Sequence, residues 1–234
     1  YDDFATKAEK HLNEAMYAIK NEILDEESVL DEKFDILTED LTSAFSKTFR
    51  IQDTVYKMYY FDEYTDKVCL KYPEKRNPRT SFNNEKRAME ELKKYDFVLV
   101  ANKIYKRNDN IHLILYSSGS PITEYKQHVS VYDLEDVVEK LHKLGWHHGD
   151  LNLGNFVWFE DKLRLIDFEY SGVGDPQKIK DDIITLNNIR KRVGGSSVTE
   201  YLRRKQNENK LFDPVKPRYD SNNQDLKSIT KSLF

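Results

Sequence analysis

Glycine is scarce in this chain and unevenly placed. There are eight in 234 residues, and none precedes Gly119. A phosphate loop of the G-x-G-x-x-G kind is therefore excluded from the first half, and phosphate held there must be held by side chains or a different turn. Cysteine occurs once, at Cys69, so no intrachain disulfide can form and a reducing compartment is expected. Cys69 lies in an apolar run and reads as a small core residue. No apolar run reaches the roughly eighteen residues of a transmembrane helix, and no signal-peptide pattern appears. A cytoplasmic location is the resulting expectation. The sequence starts at Tyr1 rather than Met, as a trimmed fragment would. Positive charge is not in excess either: 37 Lys and Arg stand against 41 Asp and Glu, a formal charge of −4. That balance argues against nucleic acid as the main partner.

What is present suffices for one large domain or two lobes. Fifteen Tyr and twelve Phe give the core an aromatic cast. Charge is distributed unevenly. Residues 1–45 are acidic, whereas Arg190-Lys191-Arg192 and Arg203-Arg204-Lys205 make the C-terminal part basic. That basic face fits a solvated surface as well as contact with the inner face of an anionic membrane.

Residues 3–24 carry Phe4, Ala8, Leu12, Ala15, Met16 and Ile19 at helical steps. This helix reads as packed on a neighbouring lobe or as a partner-binding element. Residues 25–43 read as short helices or a loop, so 1–43 is expected to be an appendage. Alternating apolar residues then predict strands over 44–51, 54–60 and 67–72, and further strands over 97–105 and 111–116. Between them, Ser81 or Asn83 is a candidate cap for a helix whose apolar face carries Phe82, Ala88, Met89 and Leu92. Glu85 shares that face. A carboxylate on an apolar face is costly unless paired, and Lys71 ends the expected strand Val68-Cys69-Leu70-Lys71 fourteen residues earlier. The competing reading of Lys71 is an edge-strand lysine in solvent. Ser117-Ser118-Gly119-Ser120-Pro121 breaks the pattern and marks a boundary between units 44–117 and 118–234. Residues 130–144 form an amphipathic helix closed by Gly145. A further helix begins near Asp181-Asp182, and 198–205 reads as a short helix. Asp181 and Asp182 fit helix N-terminal acids and a loop brace equally well. Residues 213–225 read as irregular.

The densest signal is His147-His148-Gly149-Asp150-Leu151-Asn152-Leu153-Gly154-Asn155. An apolar run, Phe156–Phe159, follows, then a turn-like Glu160-Asp161-Lys162, then Leu163-Arg164-Leu165-Ile166-Asp167-Phe168-Glu169. A hairpin here brings Asn155 and Asp167 to one sheet edge. An amide oxygen and a carboxylate suit magnesium, which takes hard oxygen ligands and leaves positions for phosphate and water. Asp150, on the same loop, can accept the proton of an attacking hydroxyl. His147 and His148 read as structural, since no metal-binding histidine spacing accompanies them.

This constellation resembles the catalytic loop and metal segment of protein-kinase-like enzymes. His148-Gly149-Asp150 stands in place of H-R-D, and Asp167-Phe168-Glu169 in place of D-F-G. The resemblance implies an α+β, bilobal fold with an antiparallel-sheet N-lobe and a reduced, mainly helical C-lobe. It implies ATP and Mg2+ as cofactors. Asp150 would be catalytic, Asn155 and Asp167 would hold the metal, and Lys71, fixed by Glu85, would hold the phosphates. Leu115, Tyr116 and Ser117 would form the hinge that reads the adenine edge. Gly149, in place of the usual Arg, implies no phosphorylation switch on the following loop. Within the superfamily, residues 45–190 are most similar to the lipopolysaccharide core heptose kinases, and also similar to Kdo kinases and RIO-type atypical kinases. The implied acceptor is a hydroxyl, on a sugar or glycolipid. An atypical Ser/Thr protein kinase and a nucleotide-binding pseudokinase remain the alternatives.

Overall fold

A computed structural model describes residues 2–26, 34–38, 46–71, 77–122, 128–194 and 197–212. Its N-terminal part is a five-stranded antiparallel sheet in the order β1-β2-β3-β5-β4. The strands are β1 (Phe34–Thr38), β2 (Ser46–Ile51), β3 (Thr54–Tyr60), β4 (Ala101–Lys106) and β5 (Ile111–Ser117). β1 lies inside the stretch expected to be helices or loop, so the sheet begins at Phe34 rather than near residue 44. Only five residues long, β1 gave too brief an alternation to register as a strand.

Helix α1 (Asp2–Glu26) matches its helical periodicity and packs on the sheet. Ala8, Leu12, Met16 and Ile19 are buried against Phe49, Met58, Tyr60 and Leu113. Burying Leu12, Met16 and Ile19 contributes roughly 1.5–3 kcal/mol each. Side chains alternate across a strand, so Tyr56, Met58 and Tyr60 meet α1 while Lys57 and Tyr59 face the other way.

Helix α2 (Glu63–Lys71) occupies the segment expected to be a third strand. Cys69 is buried there and Leu70 is 80% exposed. An apolar run of three residues cannot separate strand from helix by periodicity, and the acidic first turn, Glu63 and Asp66, favours the helix. Helix α3 (Pro78–Glu91) starts at an Asn77 cap whose Oδ1 accepts the Arg79 and Thr80 amides at 2.9 and 3.2 Å. Pro78 fills the first helical position, where no N–H is needed. The cap thus lies earlier than Ser81 or Asn83, and Ser81 is buried within the helix.

The second half contains α4 (Val131–Lys143), α5 (Pro176–Val193) and α6 (Val198–Phe212). Ser130 and Asp133 form a reciprocal capping box on α4. Val131, Leu134, Val137, Val138 and Leu141 are buried in the larger core, with Trp146, Leu151, Phe156, Leu165, Phe168, Leu186 and Val193. Short strands complete it: β6 (Ser120–Pro121), β7 (Trp146–His147), β8 (Phe156–Phe159), β9 (Lys162–Leu165) and β10 (Gly172–Val173). β8 and β9 form the expected hairpin, turned by Glu160 and Asp161 at positive φ, the pairing of a tight two-residue turn. Among the described residues no helix is long and apolar enough to cross a membrane. The stretch 213–225 lies outside the described residues.

Candidate active site

The site starts from β3. Alternation turns Lys57 away from α1 and toward the interior between sheet and hairpin. There its Nζ stands 2.7 Å from Asp167 Oδ1, 2.9 Å from Glu169 Oε1 and 3.5 Å from Glu85 Oε2. Helix α3 supplies Glu85 from its buried face, and Tyr116 of β5 donates its hydroxyl to the same carboxylate. Tyr59 donates to Glu169 Oε1 at 2.8 Å, and Asn84 Nδ2 donates to the Glu169 carbonyl at 2.9 Å. Helix α3, strand β3 and the segment after β9 are therefore tied through one buried polar cluster.

Three carboxylates around one ammonium leave an excess of negative charge in a poorly solvated place. Burial pushes the Lys57 ammonium down, but Asp167 and Glu85 outweigh it and the net shift is upward. Burial raises the Glu85 carboxyl; Lys57 opposes that and Asp167 adds to it. Burial, then the Glu85 charge, hold the Tyr116 phenol well above its ordinary value, so Tyr116 remains a donor. Such a cluster suits a charge-rich ligand that brings its own counter-ion.

The catalytic-loop stretch is braced from behind. Asp182 of α5 accepts the His148 amide at 2.7 Å, the Gly149 amide at 3.0 Å, and lies 3.1 Å from His142 Nε2. Burial raises the Asp182 carboxyl, but these hydrogen bonds prevail and hold it below its usual value. Asp182 is thus the brace, whereas Asp181 is exposed and accepts from Gln177. His148 is fully buried; its Nδ1 accepts the Asp150 amide at 3.3 Å, which leaves Nε2–H to donate to the Ile166 carbonyl at 2.9 Å. Gly149 has φ +82°, and a Cβ there would lie 2.5 Å from the Tyr170 carbonyl oxygen. No residue with a side chain fits, which explains why the Arg of H-R-D is absent at this position.

Asp150 is exposed at the loop's crest. Its carbonyl accepts Nδ2 of Asn155 at 2.8 Å and Nδ2 of Asn152 at 3.3 Å. Asn155 is buried, and its backbone carbonyl accepts the Ile166 amide at 3.0 Å, joining the loop to the residue before Asp167. Asp167 itself adopts φ +66°, a left-handed conformation that costs about 1–3 kcal/mol for a residue with a side chain. Neighbours on both sides hold it there. Phe168 is fully buried against His148, and its carbonyl accepts the Ser171 amide and hydroxyl.

The structure corrects the lysine. Lys71 ends helix α2, off the sheet, and Lys57 is the residue that meets Glu85 and Asp167. A charged residue amid Val55-Tyr56-Lys57-Met58-Tyr59-Tyr60 was the available signal. Glu169, Tyr59 and Asn84 carried no signal in sequence spacing. The hinge assignment also shifts. Leu115 and Tyr116 lie within β5, between β3 and β4, where ladder pairing occupies their backbone. The Ser117 hydroxyl accepts from Asn102 at 2.9 Å, and the Ser118 amide donates to Asp53 O at 2.7 Å. The chain leaves the sheet only at Ser118-Gly119. Gly119 lies tight against β8: an added Cβ would stand 2.7 Å from Val157 Cγ2.

Among the described residues no cluster of three or more His, Cys, Asp or Glu side chains is arranged to hold a metal ion alone. Asn155 and Asp167 nonetheless fit a nucleotide-borne Mg2+, which needs one or two protein oxygens. With Nδ2 of Asn155 engaged by Asp150, the amide oxygen is the end left to act as ligand. The segment between β1 and β2, residues 39–45, lies outside the described residues.

Comparison with known proteins bears on these features. Residues 132–217 match the APH phosphotransferase enzyme family, a span covering the catalytic loop, the β8–β9 hairpin and α5. No curated protein matches the chain in sequence. Among solved structures, monomeric WbdD is similar with a TM-score of 0.50 at 14% identity, over 67% of this chain and 41% of that one. The bifunctional kinase-methyltransferase WbdD gives 0.48 at 13% identity, over 67% and 38%. The twitchin kinase region of C. elegans gives 0.40 at 17% identity, over 57% and 25%. The chain thus spans less than half the length of each of these structures. The fold is protein-kinase-like, and residues 132–217 are similar to a phosphotransferase family.

Proposed function

We propose that the chain transfers the γ-phosphoryl group of ATP, with Mg2+, to a hydroxyl of a sugar in a cell-surface glycan or glycolipid, in the manner of lipopolysaccharide core heptose kinases. The observation that carries this reading is the meeting of Lys57, Glu85 and Asp167 beside a loop that presents Asp150 and Asn155. Magnesium, when bound, would neutralise charge on the phosphates and on the carboxylate cluster. Asn155 and Asp167 would hold it. Lys57, steadied by Glu85 and Glu169, would orient the phosphates as a point charge. Asp150 would take the proton of the acceptor hydroxyl as that oxygen forms its bond to the γ-phosphorus. The bond from that phosphorus to the bridging oxygen breaks, and ADP leaves. Catalysis of this kind is mostly positioning and electrostatics, which fits a site braced by Asp182 and His148.

Calorimetry with ADP and Mg2+ tests the nucleotide reading, with Asp167→Ala expected to abolish or greatly weaken binding. Unchanged binding by that variant would remove Asp167 as a metal ligand. A screen of sugar and peptide acceptors then separates the sugar reading from an atypical Ser/Thr protein kinase. A chain that binds nucleotide and phosphorylates neither class would be a pseudokinase.

A further inference from the structure

A cavity of about 310 Å³ opens beside the catalytic loop, between α5 and α6. Its floor is apolar, with Leu153, Ile189 and Val193 among the residues lining it. One wall continues the helical face that braces the loop. Thr185, Ile189 and Arg192 follow Asp182 along α5 at three- and four-residue steps, and all three line the cavity. The cavity is thereby fixed relative to His148 and Gly149. Asn152 lines it too and donates to the carbonyl of Asp150. Its charge is of one sign. Arg192 and Lys205 line it, and among the described residues no Asp or Glu does. Two cavities elsewhere carry carboxylates, Glu14 and Asp109 in one, Asp96 and Asp133 in the other. Among the described residues, the charged side chains lining this cavity are Arg192 and Lys205, in a chain of net charge −4.

We propose that this cavity seats the acceptor, and that the acceptor is an anionic sugar. A ring face would rest on the apolar floor, and an oxyanion on the sugar would meet Arg192 and Lys205. Arg192 offers paired N–H donors matched to carboxylate or phosphate. The hydroxyl to be phosphorylated would then lie toward Asp150. The inference rests on the phosphotransfer reading, and its test is arranged to separate the two.

The experiment is an NMR titration of the isotopically labelled full chain, with ADP and Mg2+ present, using glucose 6-phosphate, glucuronate and glucose as probes. The anionic sugars are expected to shift the amides of Asn152, Leu153 and Tyr201. They should bind at least about tenfold more tightly than glucose, as a charge-assisted pair supplies. The combined Arg192→Glu, Lys205→Glu variant should lose that preference, and Arg192→Lys, which keeps the charge without the paired donors, should keep part of it. Equal affinity for glucose, shifts mapping elsewhere, binding by none of the probes, or a preference untouched by the charge reversal would overturn the proposal. Anionic-sugar binding here by a chain that does not bind ADP and Mg2+ would refute phosphotransfer and leave the cavity assignment standing. The converse result would refute the cavity alone.

Discussion

Lys57→Met puts the reading of the buried cluster at risk most directly. The substitution keeps a flexible apolar stem and removes the ammonium that stands 2.7, 2.9 and 3.5 Å from Asp167, Glu169 and Glu85. Breaking a buried ion pair from one side costs about 3–5 kcal/mol, because the partner charge stays behind. At about 2–4 °C per kcal/mol for a protein of this size, the melting temperature should fall by roughly 6–20 °C. The loss should also depend on pH. Glu85 already has a raised carboxyl, and Lys57 is the influence opposing that rise. Without Lys57 the folded state holds its proton more firmly than the unfolded chain does. The stability linked to that proton is then fully present below the ordinary Glu value of about 4.3 and lost as pH rises through the folded value. The variant should therefore melt closer to the parent protein at pH 5 than at pH 8. In activity, losing one electrostatic contact to the transferring group corresponds to about 10²–10³ in rate. Scanning calorimetry at the two pH values and a phosphotransfer assay read both effects. Lys71→Met is the control. A fully active Lys57→Met beside an inactive Lys71→Met would refute the reassignment, and a pH-independent loss would refute the electrostatic account of it.

Three further outcomes follow from the loop and its brace. Asp150→Asn should lower kcat by about 10²–10⁴, the range for a general base; turnover at full rate would remove Asp150 from the mechanism. Asp182→Asn keeps the shape but weakens the acceptor for the His148 and Gly149 amides, and should lower stability by about 1.5–3 kcal/mol at neutral pH. Because the folded Asp182 carboxyl is held low, its contribution is present above the ordinary Asp value of about 3.9 and lost as pH falls through the folded value. Denaturant titrations should accordingly show the gap between variant and parent closing below about pH 4, and a gap unchanged by acid would count against the brace. Gly149→Ala demands a left-handed conformation, at about 1–2 kcal/mol, and pushes Cβ against a carbonyl oxygen. Chemical denaturation with no loss would show that the Tyr170 backbone yields there.

The half of the site carried by one continuous stretch was legible in sequence. Asp150, Asn155 and Asp167 sit on a loop and a tight hairpin, where spacing nearly determines geometry. Glu85 was legible for another reason, since a carboxylate on an apolar helical face demands a partner. The partner itself was not. Lys57 and Lys71 both follow short apolar runs, and choosing between them requires knowing that residues 63–71 coil into a helix. Tertiary packing settles that, with Cys69 buried and Leu70 exposed. The end of β5 was illegible for a similar reason, because how far it extends depends on its pairing with β3 and β4. Asp182 was balanced between two roles until folding placed α5 against the loop. Glu169 was invisible, since its significance comes from Tyr59, Asn84 and Lys57, each distant in sequence.

Helix α1 changes what counts as the smallest working unit. The sheet face it covers presents Phe49, Met58, Tyr60 and Leu113, and the seam is further stitched by Arg107 to Glu22 at 3.1 Å and by Lys47 to Asn13. Strand β3 is shared: one side of it rests on α1, and the other carries Lys57. A truncation that begins at the sheet would strip a greasy surface bare on the very strand that aims Lys57, the lysine proposed to hold phosphate. Recombinant pieces lacking the first twenty-six residues should clump and work badly for the same reason, and a dead truncated protein would say nothing against the chemistry proposed for the intact one.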